Sequence, residues 1–139
     1  MPTESQGVSN VDGGLWAGSV TRRGQRLTIS NRVVTKLNFY VARYGSVGDV
    51  TYRIRKVSDD SVIASGTVSG LTTSFVWKEA TLSPQVTINE AVRILVEYNA
   101  GNSSNYVRVR YQDTDVKAGE VYTLYYDGAN HDLSQWDCA

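Results

Sequence analysis

The chain has 139 residues, and its 14 Lys and Arg residues are balanced by 14 Asp and Glu residues. This length is sufficient for one domain with its own core. The zero net charge argues against nonspecific electrostatic binding to nucleic acid, which needs an excess of basic residues. The 9 Tyr, 12 Gly and only 2 Pro are typical of strands joined by polar turns. The composition therefore favours a single all-β domain that does not bind nucleic acid.

The N-terminus and the cysteine content indicate the compartment. The opening MPTESQGVSNVDGG has neither the basic nor the apolar region of a secretory signal. No apolar run reaches the roughly 18 residues that a membrane helix needs. The sole cysteine, Cys138, cannot form an intrachain disulfide or a multi-cysteine zinc site. We expect a protein without a membrane segment that does not use the usual secretory route.

In chain order, residues 1–14 are polar and lack hydrophobic periodicity, which predicts a flexible or extended arm. A single domain covering 15–139 follows, in which apolar residues alternate with polar ones between turn signals. The predicted strands are 25–30, 35–44, 50–57, 61–68, 75–82, 85–88, 91–99, 105–113, 121–127 and 133–136.

The segment 91–99, AVRILVEYN, contains residues that favour helices, but its pattern has a period of two. Ile94, Val96 and Tyr98 are expected on one side of the strand, and they alternate with Arg93, Leu95 and Glu97 on the other side. We therefore predict a strand here and no helix anywhere. About ten strands predict a two-sheet antiparallel β-sandwich of the jelly-roll type, since the immunoglobulin type has seven strands and often a Cys…Trp…Cys core.

Few residues suggest catalysis. The only histidine, His131, has Asp132 and Ser134 close by in one polar turn, whereas a catalytic triad needs groups that converge from separate elements. Glu79 and Glu97 lie within strands, at positions expected to face solvent, and no carboxylate pair stands out for glycoside hydrolysis. We expect no enzyme activity.

Metal and cofactor signals are equally sparse. Asp113, Asp115 and Glu120 scatter oxygen ligands through QDTDVKAGE without the EF-hand spacing. Asp is common in turns for backbone reasons, so we favour a turn and keep these three as alternative calcium ligands. No Gly-rich loop stands between a strand and a helix to hold phosphates. We expect no cofactor.

The candidate binding surface is basic and aromatic. If the strands that carry them share one sheet, the arginines form a ladder beside a tyrosine. Aromatic rings stack on sugars, and Arg makes bidentate contacts with carboxylates, so a docking or sugar-binding surface is one interpretation. The alternative is an ordinary solvent-facing side of strands. The residues are Arg53, Arg55, Arg93, Tyr106, Arg108 and Arg110. Trp16 and Trp136 are expected to pack together near the two ends.

A family resemblance covers about residues 15–136. The segments that carry it are an L-x-F-Y strand leading to a G-x-x-G turn, a V-T-I…Y…GNSSNYV block, and a closing YYDG. They correspond to Leu37, Phe39, Tyr40, Val41, Gly45 and Gly48, then to 86–88, Tyr98 and 101–107, then to 125–128. The chain thereby resembles a β-jelly-roll domain of phage and archaeal-virus virion proteins and bacterial surface proteins. It ends in a short polar HDLSQWDCA, where that family often has a further long strand.

The resemblance implies non-enzymatic work, namely adhesion, sugar binding or decoration of a virion, and it supplies no catalytic residues. A virion component needs no export signal, because it assembles in the host cytoplasm and is released by lysis. We therefore expect a capsid decoration (cement) protein that docks on a major capsid or other virion protein. A homo-oligomer, with a trimer as the guess, is expected, with residues 1–14 ordering on a neighbour. The alternative is a carbohydrate- or receptor-binding module.

Overall fold

The computed structural model describes residues 11–112, 121–133 and 137–138, which form strands and connecting turns without a helix. In chain order the strands are β1 (Val11–Leu15), β2 (Arg22–Val33), β3 (Lys36–Tyr44), β4 (Val50–Lys56), β5 (Val62–Val68), β6 (Val76–Thr81), β7 (Thr87–Glu97), β8 (Tyr106–Gln112), β9 (Val121–Tyr126), β10 (Ala129–Leu133) and β11 (Asp137–Cys138). The predicted all-β class is confirmed.

The strands form two antiparallel sheets packed against each other. The small sheet has the order β1-β8-β3-β6, with β11 also paired to β8, and the large sheet has the order β10-β9-β2-β7-β4-β5. Of the first eight strands, β1, β3, β6 and β8 lie in the small sheet and β2, β4, β5 and β7 in the large one, so the chain crosses between the sheets at every connection except the β4–β5 hairpin and pairs β1 with β8 and β2 with β7. This interleaving is the jelly-roll arrangement, and the predicted sandwich is confirmed. The hairpin β9–β10 widens the large sheet beyond β2.

The core lies between the sheets and is built from the inward rows of alternating strands. Val107 and Val109 of β8 are fully buried, as their alternation with Arg108 predicts. Across the core, Phe39 and Tyr52 meet edge to face with ring centroids 5.1 Å apart. The buried Tyr52 hydroxyl donates to the carbonyl oxygen of Lys78 at 3.1 Å, which satisfies its polar group.

The predicted strands 85–88 and 91–99 form one strand, β7 (Thr87–Glu97). The polar pair Asn89-Glu90 interrupts the hydrophobic pattern, but the backbone continues through it. The irregularity falls instead on the partner strand β2, whose register shifts between Ile29 and Arg32. Asn31 has a positive φ of 55° there, a conformation that Asn tolerates better than most residues. A bulge in β2 therefore keeps β7 continuous.

Both ends of the described chain contain a strand that the pattern does not predict. Residues 11–14, assigned to the arm, belong to β1 and pair with β8, and their two glycines hide the strand because Gly lowers strand propensity. The predicted turn around His131 is instead strand β10. It follows a two-residue hairpin turn with positive φ at Asp127 (54°) and Gly128 (74°), as the Asp-Gly pair favours. Of the predicted strand 133–136, residues 134–136 lie outside the described residues.

Candidate binding faces

The six predicted binding residues do not form one ladder. Tyr106, Arg108 and Arg110 lie on β8 in the small sheet, whereas Arg53 and Arg55 lie on β4 in the large sheet. The sixth, Arg93, is on β7 of the large sheet. Most strands that follow each other in this fold lie in different sheets. Two strands with the same alternating pattern therefore do not have to belong to one sheet. The expected single ladder is therefore wrong, and two faces replace it.

The outward side of the small sheet is a row of aromatic rings. Tyr40 of β3 pairs directly with Trp77 of β6, and Tyr44 of β3 pairs directly with Tyr106 of β8. The ring centroids are 5.1 Å apart in the first pair and 5.0 Å in the second, which is stacked. We call this surface the aromatic–basic face. Its members are Trp16, Tyr40, Tyr44, Phe75, Trp77, Tyr106, Arg108 and Arg110.

Two arginines of the aromatic–basic face stack on one of its rings, Phe75. The guanidinium carbons of Arg108 and Arg110 lie 4.8 and 5.2 Å from the centre of the Phe75 ring, within cation–π range. Phe75 in turn lies 5.5 Å from Tyr40. Arg108 is directly opposite Ala42, which has no exposed surface although it does not belong to the core between the sheets. The small side chain of Ala42 thus leaves room for Arg108 to reach Phe75.

The two ends of the row are exposed. Tyr44 is 52% exposed and Trp77 is 47% exposed, whereas most aromatic side chains of a folded domain are largely covered. Tyr40 and Tyr44 are four residues apart on β3, a rise of about 13 Å. The exposed rings therefore mark the two ends of an extended surface. Sequence reasoning missed Tyr40, Tyr44 and Trp77, although both tyrosines alternate with the buried residues of β3.

Trp16 extends the aromatic–basic face at the end that contains Tyr106. Its ring centroid lies 5.1 Å from that of Tyr106, with the planes tilted by 49°. The predicted partner, Trp136, lies outside the described residues. Trp16 thus packs on a tyrosine of the aromatic–basic face.

The outward side of the large sheet carries a different arrangement, in which arginines are paired. Glu97 is only 8% exposed, which contradicts the expected solvent-facing position. Arg53 donates to its Oε1 at 2.7 Å, and Arg55 donates to Oε2 at 2.7 Å and to Oε1 at 3.0 Å. Arg22 lies 3.7 Å from Oε1. The predicted binding residues Arg53 and Arg55 thus hold a covered carboxylate.

The pKa values of this cluster follow from its contacts. Burial alone would raise the pKa of Glu97, but hydrogen bonds from Arg55 and Arg53 and the charges of Arg55 and Arg22 hold it below its ordinary value. The hydrogen bond to Glu97 raises the pKa of Arg55. Asp60, from the β4–β5 turn, binds Arg22 at 2.8 Å. Burial opposes ionisation of Asp60 too, but Arg22 and Asn130 lower its pKa.

Arg93 takes part in a second cluster. Its Nη2 donates to Oδ2 of Asp132 at 3.1 Å, and Asp132 Oδ1 also accepts a hydrogen bond from the Thr123 hydroxyl at 2.7 Å. Arg26 binds the same carboxylate at 2.9 Å. Burial would raise the pKa of Asp132, but the Thr123 and Arg93 hydrogen bonds lower it. This cluster ties β10 to β7 and β2.

The arrangement around His131 gives no support to a triad. The His131 ring stacks on Tyr126 with centroids 3.8 Å apart, and its Nε2 lies 3.3 Å from the Tyr126 carbonyl oxygen. Asp132 is engaged with arginines, and Ser134 lies outside the described residues. The candidate metal ligands Asp113, Asp115 and Glu120 lie outside them too. Within residues 11–112, 121–133 and 137–138, no group of three His, Cys, Asp or Glu is placed to hold a metal ion.

No protein-family model and no curated protein matches the chain. In the part of the chain that the structure describes, there is no helix of the length and apolar character needed to cross a membrane.

Proposed function

We propose that this protein is a non-enzymatic virion structural protein, specifically a capsid decoration protein that docks on the viral shell. The observation that carries the proposal is the aromatic–basic face, with its two groups of packed rings and two arginines stacked on Phe75. Aromatic residues and Arg are enriched at the centres of protein interfaces, and they dominate binding energy there. An ordered face on a rigid sheet also loses little conformational freedom when it binds.

The docking face and the assembly have separate roles in this proposal. The partner is the major capsid protein or another virion protein, and the location is the virion. The protein is a homo-oligomer, for which a trimer is the expected state, because several copies of one weak contact raise the overall affinity for a repeating lattice. The chain's zero net charge favours a protein partner over nucleic acid.

The proposal is tested by sedimentation of the purified protein with shells assembled from the major capsid protein of the same genome. The variant carrying both Tyr44→Ala and Trp77→Ala is expected to lose shell binding at least about tenfold, since each ring is a candidate hot spot. Val62→Ala is the matched control, because Val62 is equally exposed at 47% but lies on the large sheet. Equal binding by the wild type and the double variant would contradict the proposal.

A second candidate is a carbohydrate- or receptor-binding module, and the exposed rings favour it. Tyr44 and Trp77 present flat faces on which sugar rings stack, and their separation suits an oligosaccharide. A glycan array separates the two functions. A carbohydrate-binding module is retained on specific glycans, and Tyr44→Ala, Trp77→Ala, Tyr106→Ala or Arg108→Ala abolishes retention. A decoration protein is not retained.

A further inference from the structure

A groove of about 480 Å³ opens on the large sheet, where β2, β4, β7 and β9 end together. Its wall includes Thr21, Arg22, Asp49, Arg53, Asn99 and Tyr125. The backbone around it is cross-linked, since the Thr21 amide donates to the Tyr125 carbonyl at 3.0 Å and the Tyr98 amide donates to the Thr21 carbonyl at 2.9 Å. The groove is therefore a formed feature of the sheet.

The cations at this groove outnumber the carboxylates that they bind. Three guanidinium groups, from Arg22, Arg53 and Arg55, surround two paired carboxylates, Glu97 and Asp60. Arg55 binds Glu97 through two nitrogens, whereas Arg53 makes one hydrogen bond to Glu97, at 2.7 Å. The Nε of Arg53 has no hydrogen-bond partner among the described residues, but it is covered and cannot reach a ligand in the groove. The Arg53 side chain as a whole is 34% exposed and lines the groove, so its terminal nitrogens are the donors available there.

Tyr125 supplies an aromatic wall beside these cations. The Arg22 guanidinium lies 3.9 Å from the centre of the Tyr125 ring. On the other side of Tyr125 lies a second groove, which is lined by Asp127 and by no Lys or Arg among the described residues. Of the two grooves, only the one on the arginine side offers cationic side chains among the described residues. Asp49 lies exposed at the rim of the arginine side and forms no ion pair with the described residues.

We propose that the groove beside Tyr125 binds one oxyanion of a ligand, a carboxylate, sulfate or phosphate, held by Arg53 and Arg22. Arginine's planar fork matches such groups in two-point contacts. The oxyanion belongs either to an acidic saccharide, whose ring contacts Tyr125, or to a free anion. This site lies on the sheet opposite the aromatic–basic face, and it does not depend on the function proposed for that face.

Nuclear magnetic resonance titration of the ¹⁵N-labelled full chain tests the site. The probes are acetate, sulfate, phosphate and glucuronate, added at constant ionic strength because screening alone shifts exposed groups. We expect saturable shifts confined to amides around Thr21, Thr51 and Asn99. Arg53→Gln should weaken binding about tenfold, because it removes a charge-assisted hydrogen bond. Asp49→Asn should tighten it roughly twofold, because it removes a like charge at the rim.

Lys36→Gln is the control for net charge, since Lys36 is an exposed cation on the small sheet, and it should change binding less than about twofold. Arg53→Lys keeps the charge without the fork and should recover only part of the affinity. Tyr125→Leu distinguishes the sources, because it weakens glucuronate more than acetate only for a saccharide. Shifts that do not saturate, or equal affinities in the wild type and Arg53→Gln, would overturn the proposal.

Discussion

Single residues on the outward side of the large sheet are covered in a way that their sequence pattern conceals. Glu97 alternates with apolar residues of β7 and is nevertheless covered, because Arg53 and Arg55 fold over it. Leu95 next to it is fully buried outside the core between the sheets. Leu95 of β7 pairs with Gly24 of the neighbouring strand β2. A Cβ at Gly24 would lie 1.8 Å from the Ile94 carbonyl oxygen, so this position has no room for a side chain. The charged side chains of this cluster thus form a thin covering layer on the outward side of the large sheet, separate from the core between the sheets.

We predict that Glu97→Gln lowers the free energy of unfolding by about 3 kcal/mol, because the change leaves covered guanidinium groups without their charge partner. Urea denaturation of the purified protein measures this. Glu79→Gln is the matched control, since Glu79 is 52% exposed and pairs with the exposed Lys36 at 3.3 Å. Its cost should stay below about 1 kcal/mol. Equal costs would show that the Glu97 cluster contributes no more than a surface pair.

The same carboxylates predict how stability depends on pH. Glu97, Asp60 and Asp132 all have pKa values lowered from ordinary values of 4.5, 3.8 and 3.8. The unfolded chain therefore takes up protons first as pH falls, so their stabilisation is complete above these ordinary values and is lost progressively below them. The urea concentration at the unfolding midpoint, measured from pH 7 to pH 3, should decrease once the pH is below about 4.5. The decline should be shallower in Glu97→Gln, and an unchanged slope would contradict this account.

At the scale of elements, period-two alternation predicted most interior strands and failed at identifiable places. It located β3, β4, β5 and β8 to within a residue or two, because their core rows are regular. The alternation pattern wrongly divided β7 into two strands at the polar pair Asn89-Glu90. The strand is continuous there, and the register shift lies in its partner β2. Alternation also cannot say which sheet a strand joins, since that depends on long-range pairing. Alternation therefore predicted that Tyr106, Arg108 and Arg110 share one outward face of β8, while their joining to Arg53 and Arg55 in one ladder was wrong.

The β9–β10 hairpin depends on a left-handed turn, so we predict that Gly128→Ala destabilises the protein by about 1 kcal/mol. Gly128 has a φ of 74° and open space around it, so any cost arises from backbone strain and not from a clash. Thermal unfolding should shift by roughly 2–5 °C. Gly48→Ala is the control, because Gly48 also has open space but no positive φ. A Gly128→Ala melting temperature equal to that of Gly48→Ala would exclude the strain.

For the whole molecule, the jelly roll places two chemically distinct faces on opposite sides of one core. The small sheet presents stacked rings and arginines, and the large sheet presents paired arginines and a groove. The sequence predicted the sandwich because strand number and alternation are local properties. It did not predict the two-sided arrangement, because the separation of the arginines follows from the crossing of strands between sheets.

We propose that the aromatic–basic face is the surface that docks on the viral shell. Electron cryomicroscopy of shells decorated with the purified protein tests it directly, because the orientation of the sandwich shows which sheet contacts the lattice. We predict that the outward side of β3, β6 and β8 faces the shell, with Tyr44 and Trp77 buried in the contact. A bound protein whose small sheet faces solvent, or a shell that binds no protein, would contradict the account.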